Sequence, residues 1–316
     1  MAFFIMEQTM SKLWALFLSF FILISNAYAE SNRCPFVWKI SKSGTPVSYL
    51  VGTIHINQKG RELSGCLKEI MGQSQLLMTE TLMPVDLTET YSFDLLQMLN
   101  QIATADPNNL RKQIGDDLHR DIKELWQKSE TMKQLLPLYD NLHAWSVNML
   151  MTNMTINTDL SEQNGIDYLL SQQAYQYKIR REGLESVLVG VKIFQDLPLE
   201  RHRQSLETTL RYIDETEKMN QQLIQLYNLG KQQEFFAFAF NDKEQFKFIP
   251  QQDRAFWRNW LYVTLLDERT ASWLPKITAQ LPKQSTVVAV GAMHTVGDNG
   301  LIELLKKQGY SVTPLE

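Results

Sequence analysis

The sequence predicts an α/β fold with a mainly parallel central sheet and a large helical insertion. Three observations predict it. Near each end of the chain, short apolar β-type runs alternate with stretches of helical spacing, the strand–helix–strand order of parallel βαβ units. Between them, from about 86 to 280, apolar residues recur mostly at helical spacing. Two distant strands close on the same short motif, Gly52-Thr53-Ile54-His55 and Gly291-Ala292-Met293-His294. A strand that ends in Gly-x-x-His delivers an imidazole to the carboxyl edge of its sheet, where open α/β sheets place ligands.

The first segment reads as a leader rather than as part of the fold. Lys12 precedes an apolar run from Leu13 to Ile24, and Ala27-Tyr28-Ala29 supplies small residues at a cleavage site. This reads as a secretory signal peptide, residues 1–29, with 30–316 as one domain after export. The run is short for a membrane span, which needs about 20 residues, so no stable membrane anchor is expected after cleavage. Glu7 is unusual in such a leader, and initiation at Met10 would remove it.

The domain then unfolds in order. Phe36–Ile40 and Val47–Val51 read as strands around the turn Ser43-Gly44-Thr45-Pro46. A short helix is expected over 66–73 and a buried strand over 74–80 that ends on Glu80. Leu118, Ile122 and Leu125 share one helix face; Leu142, Trp145, Met149 and Leu150 share another. Tyr177–Glu185 reads as a further strand ending on an acid. Residues 199–240 form a long helical stretch broken at Gly230, and 253–281 form one more helix. The last unit is strand 286–290, the His294 turn, helix 299–308 capped by Gly309, and strand 310–313.

Composition narrows the function. The net charge is −4 and no basic stripe is present, so nucleic acid is not an expected partner. His-Glu-x-x-His, Gly-x-Ser-x-Gly, a phosphate loop and a dinucleotide glycine pattern are all missing from the sequence. The two cysteines, Cys34 and Cys66, read as one disulfide in an exported chain; the alternative is thiolate ligation of a metal together with His55.

Five residues carry the chemistry. Neutral imidazole is a common metal ligand and an acid–base group near neutral pH, which puts His55 and His294 first. Glu80 and Glu185 each close a predicted strand and can face the same crevice. A carboxylate beside two imidazoles completes a His-His-Glu set for a divalent metal ion with a position left for water. Either Glu can instead serve as general base, cap a helix or form a surface ion pair. Arg269, in Asp267-Glu268-Arg269, can hold a carbonyl oxygen or simply pair on an exposed helix. His119 is expected on a solvated helix face, and His143 and His202 are expected to be non-catalytic. The Trp and Met stripes read as core.

Taken in order, Tyr49-Leu50-Val51-Gly52-Thr53-Ile54-His55, Gly165-Ile166-Asp167, Gly183-Leu184-Glu185, Gly291-Ala292-Met293-His294, Gly300–Leu305 and Gly309–Val312 resemble the TraB/GumN family, which includes the Tiki proteins. The likeness spans roughly 34–316. It implies an α/β fold similar to erythromycin-esterase-like and ChaN-like (EreA/ChaN-like) proteins. It also implies a site built from the two Gly-x-x-His motifs and an acid: His55 and His294 as metal ligands or catalytic groups, Glu80 as the acid after the second core strand, and Arg269 as the late arginine. The pattern often has Arg-Asn where this chain has Arg269-Thr270, and Gly where it has Met293. The expected function is a periplasmic or extracellular metal-dependent hydrolase, peptidase-like, acting on a peptide or protein substrate. Glu80, Glu185 and Arg269 would be its catalytic residues. The alternative is a protein of the same family that sequesters a peptide or haem-type ligand without turnover.

Overall fold

The computed structural model describes residues 34–82, 84–85, 93–152, 154 and 156–315; the expected signal segment lies outside them. A six-stranded sheet forms the centre. Its strands are β1 (Val37–Ser41), β2 (Ser48–Thr53), β4 (Leu76–Thr79), β6 (Arg180–Gly183), β7 (Thr286–Gly291) and β8 (Ser311–Pro314). The order across it is β6-β4-β7-β2-β1-β8. The four strands β6, β4, β7 and β2 run parallel, and β1 and β8 add antiparallel pairs at one edge. A minor ribbon pairs β3 (Asn57–Gln58) with β5 (Leu160–Ser161).

The parallel strands form because their sequences are apolar on both faces. Leu76, Leu77 and Met78 of β4 and Val287, Val288, Ala289 and Val290 of β7 are all buried, as expected of strands covered on both sides by helices. Helix α1 (Gly65–Gly72) crosses from β2 toward β4; the Ser64 hydroxyl accepts the Leu67 N–H to cap it. The Cys34–Cys66 disulfide ties the entry segment to α1. That pairing sets aside thiolate ligation at His55.

Between β4 and β7 the chain is mostly helical: α2 (Phe93–Gln101), α3 (Asn109–Ile114), α4 (Asp116–Trp126), α5 (Glu130–Leu135), α6 (Ala144–Thr152), α7 (Ile166–Gln176), α8 (Val187–Gln195), α9 (Leu199–Arg211), α10 (Ile213–Asn228), α11 (Gln232–Ala239), α12 (Asp242–Gln245), α13 (Arg254–Asn259) and α14 (Glu268–Gln280); α15 (Leu301–Lys307) follows β7. Strand β6 interrupts this stretch and joins the sheet. The helices α3 to α6 enclose a second core around Trp126, Tyr139, Leu110 and Ile122, separate from the core on the sheet. Among the described residues, no helix is long and apolar enough to cross a membrane.

Three expectations need correction. The 199–240 stretch breaks at Gly230 (φ +67°) but also at Tyr212, whose φ −124° and ψ 27° end α9. The single helix over 253–281 contains a π-helical segment, Trp260–Asp267, between α13 and α14. His119 is not on a solvated face: it is 3% exposed, and its Nε2 meets Asp140 Oδ1 at 2.7 Å. Asp140 comes from a segment that periodicity on α4 cannot reveal.

The start of α7 is locked to the first histidine. The Ile166 N–H donates to the Ile54 carbonyl at 2.9 Å. A Cβ on Gly165 would lie 2.3 Å from the His55 carbonyl oxygen. Backbone cannot yield there as a flexible side chain would, so Gly165→Ala is expected to destabilise the protein by about 1–3 kcal/mol. Urea unfolding checks this, and a change too small to measure would show that the two segments can separate freely.

Candidate functional site

In β2 and β7, Gly52 sits opposite Val290 and Thr53 opposite Gly291. The parallel pairing therefore brings both Gly-x-x-His motifs out at one edge of the sheet. After β7 the chain turns at once into a short 3-10 turn, Ala292–His294, which folds His294 inward to 5% exposure. After β2 it runs on toward the surface, and the His55 side chain keeps 45% exposure.

Each imidazole is held by its Nδ1. The His55 Nδ1–H donates to Asp167 Oδ2 at 3.1 Å. For His294 the donor can be assigned by counting protons. Thr270 Oγ1 donates its only proton to the Leu266 carbonyl at 2.7 Å. At its 2.7 Å contact with His294 Nδ1 it must therefore accept. Nδ1 of His294 carries the proton, and Nε2 keeps its lone pair. The His294 ring also packs on Trp273, with centroids 4.6 Å apart.

Glu80, immediately after β4, stands between the two rings. Its Oε1 accepts the Gly291 N–H at 2.8 Å and lies 3.9 Å from His294 Nε2. Its Oε2 accepts from Arg269 Nη2 at 2.7 Å. Gly291 keeps this space open. A Cβ there would come 3.1 Å from Glu80 Oε1, 3.6 Å from His294 Cδ2 and 3.8 Å from His55 Nε2.

Arg269 is mostly shielded, its side chain 15% exposed, rather than on an exposed helix face. Its Nε and Nη2 donate to Glu185 Oε1 at 2.9 and 2.7 Å, and Nη1 donates to the Leu265 carbonyl at 3.2 Å. Glu185 Oε2 accepts the Trp273 indole N–H at 2.8 Å. The Glu185 side chain is 5% exposed. All five residues singled out in the sequence thus stand around one point. Asp167 and Thr270, the partners of the two imidazoles, stand in the sequence only as neighbours of motifs. Their signal was a polar side chain two residues after Gly165 and one residue after Arg269.

The electrostatics follow from these contacts. The Asp167 carboxylate raises the His55 imidazole to about 9, against burial, which lowers it. Burial lowers His294 to about 4, although Glu80 pulls it up. Burial pushes Glu80 up, but His294, His55, Arg269 and the Gly291 N–H together hold it at about 2. Glu80 is therefore ionised across the neutral range.

Both imidazoles have Nδ1 engaged by a protein partner, as metal-ligating histidines do, and Nε2 of His294 faces the Glu80 carboxylate. The donor types suit a divalent ion. Among the described residues, no group of three or more His, Cys, Asp or Glu is closed tightly enough to hold a metal as it stands. Glu80 is drawn toward Arg269 and Gly291 instead. The Thr53 hydroxyl and Asp167 Oδ1, both at this edge, are buried with no hydrogen-bond partner among the described residues.

The histidines give the protein a stability maximum in the absence of metal. His55, raised from 6.5 to about 9, contributes stability that is complete below about pH 6.5 and is lost as pH rises through 9. His294, lowered to about 4, contributes stability that is lost as pH falls from 6.5 toward 4. In chelator, the thermal midpoint is expected to peak near pH 6.5, and Asp167→Asn is expected to flatten the alkaline side. Calorimetry from pH 4 to 9.5 checks both limbs; an unchanged alkaline limb in the variant would show that Asp167 does not hold that charge.

The family model described as the TraB/PrgY/gumN family matches residues 36–314. A relative from Xenopus tropicalis, "Metalloprotease TIKI1", is 24% identical over a 360-residue alignment that covers 95% of this chain and 68% of the relative. No solved structure matches the chain. With the match running across nearly all of the described fold, this chain belongs to the TraB/PrgY/gumN family.

Proposed function

We propose that the protein is an exported, metal-dependent hydrolase that cuts peptide bonds. The observation that carries this reading is the convergence of His55, His294 and Glu80, with both Nδ1 atoms tied and the space over Gly291 open. The printed name of the Xenopus tropicalis relative, a metalloprotease, supports the metal and the bond type.

The Nε2 atoms of His55 and His294 and the Glu80 carboxylate would hold the ion. A divalent ion supplies there a Lewis acid for a carbonyl and a lowered pKa for water. Asp167 and Thr270 orient the two imidazoles and fix which nitrogen is free. Glu80 Oε1 faces the gap between the rings, where, with its pKa held at about 2, it would act as a ligand and hydrogen-bond acceptor for a bound water rather than as a strong base. Arg269 presents a fixed cation to negative charge developing on the carbonyl oxygen. Glu185, expected as a possible base, is better suited to holding Arg269, because both its oxygens are engaged with Arg269 and Trp273.

Metal analysis of the purified protein is expected to find a stoichiometric divalent ion, and a peptide library is expected to be cut in the absence of chelator only. His294→Ala should abolish both. Asp167→Asn and Thr270→Val should weaken metal affinity by roughly 10–100-fold. Absence of both metal and turnover would sink the proposal; saturable peptide binding without product would turn it into sequestration.

A further inference from the structure

Two clefts meet at the site. They share Thr53, His55 and Glu80, and then diverge. One, of about 540 Å³, is lined by Met98, Met132, Leu135, Met149, Leu150 and Val187. The other, of about 350 Å³, is walled mainly by Ile54, Ile56, Leu223, Ile224 and Phe235, with a single methionine, Met293, at its histidine end. Both walls are apolar, but they differ in stiffness. Methionine has three rotatable bonds and a polarisable sulfur, so a methionine wall adapts to different shapes. Branched Ile and ring-bearing Phe have few rotamers. Phe235 belongs to the main core and Leu223 packs against it, which leaves that part of the wall little room to move.

The centre where the clefts join suits a peptide backbone. Its charges are paired, His55 with Asp167 at 3.1 Å and Arg269 with Glu80 at 2.7 Å. The buried Thr53 hydroxyl, shared by both clefts, lacks a partner among the described residues and offers a hydrogen bond to a backbone amide. An acyl chain would leave it unsatisfied. Glu162 lines the larger cleft and opposes acidic side chains there.

Building on the peptidase reading above, we propose that the site takes an extended peptide with an apolar side chain on each side of the bond that is cut, selected strictly in the aliphatic cleft and loosely in the methionine cleft. The peptide lies across Thr53 and Glu80, with one flanking side chain in each cleft. Apolar area removed from water drives binding on both sides. Shape decides only on the stiff side, as a fitted hydrophobic pocket discriminates single methylenes while an adaptable one does not.

The test separates binding from turnover. Fluorescent decapeptides carrying Leu, Met, Phe, Lys or Asp at each side of a central bond are titrated into the Glu80→Gln protein, and cleavage of the same peptides by the unmodified protein is mapped by mass spectrometry. On one side of the bond, replacing Leu by Phe, Lys or Asp is expected to weaken binding about tenfold or more. On the other side, Leu, Met and Phe should bind within about threefold of one another, and Asp should bind worst. Leu223→Trp, which narrows the stiff cleft, should lower affinity about tenfold. If Leu223→Trp does not fold, Ile56→Ala serves, and it should admit Phe on the strict side. Equal affinity for all peptides, or palmitate displacing them all, overturns this proposal even where cleavage occurs. The stated preferences without any cleavage uphold it and remove the peptidase reading instead.

Discussion

The parallel pairing of β2 with β7 is the constraint on which the site depends. Gly52 opposite Val290 and Thr53 opposite Gly291 set the two histidine motifs one residue out of step on adjacent strands. A one-residue slip would turn each strand's side chains to the other face of the sheet. Burial forbids that slip: every residue from Leu50 to Thr53 and from Thr286 to Val290 is buried. The core thus fixes the register, and the register fixes the separation of the imidazoles. The small offset has a visible result, because one ring is buried on Trp273 and the other stays half in solvent.

Above that sheet edge lies a buried charge cluster. Arg269 bridges Glu80 and Glu185, and both carboxylates are largely shielded from water. Removing one partner from such a cluster typically costs 3–5 kcal/mol, about what an uncompensated buried charge demands. The arrangement makes sense as orientation. Glu185 and Trp273 hold the guanidinium in place, and the guanidinium with the Gly291 N–H holds Glu80 between the rings. Tyr227 adds a tie from α10, its hydroxyl donating to the Gly52 carbonyl at 2.6 Å. The wall of the smaller cleft and the end of β2 are thereby fastened together.

Much of this was legible in the sequence, for physical reasons. Strands β4 and β7 are covered on both faces, so they survive as unbroken apolar runs, and each is followed by a residue that the edge displays. Glu80 follows β4 directly, and Gly291 marks a place where a Cβ would press on the Glu80 carboxylate. The partners of the imidazoles were not legible. Asp167 is 112 residues from His55 and Thr270 is 24 from His294, and hydrogen bonds over such separations leave no periodic trace. The break at Tyr212 was also hidden, since no glycine or proline marks it. Glu185 looked like a free acid at a strand end, and only the tertiary fold shows both its oxygens engaged.

The π-helical segment Trp260–Asp267 comes directly before Arg269 and Thr270. Such segments contain, in effect, one residue more than the α-helical path they replace, and they recur at functional sites. In an α-helix each residue advances the side-chain direction by about 100°. Loss of a single codon here would restore ordinary winding while swinging the guanidinium and the threonine hydroxyl away from their targets together. The charge anchor and the imidazole tether thus hang on one feature of the winding and would be lost together.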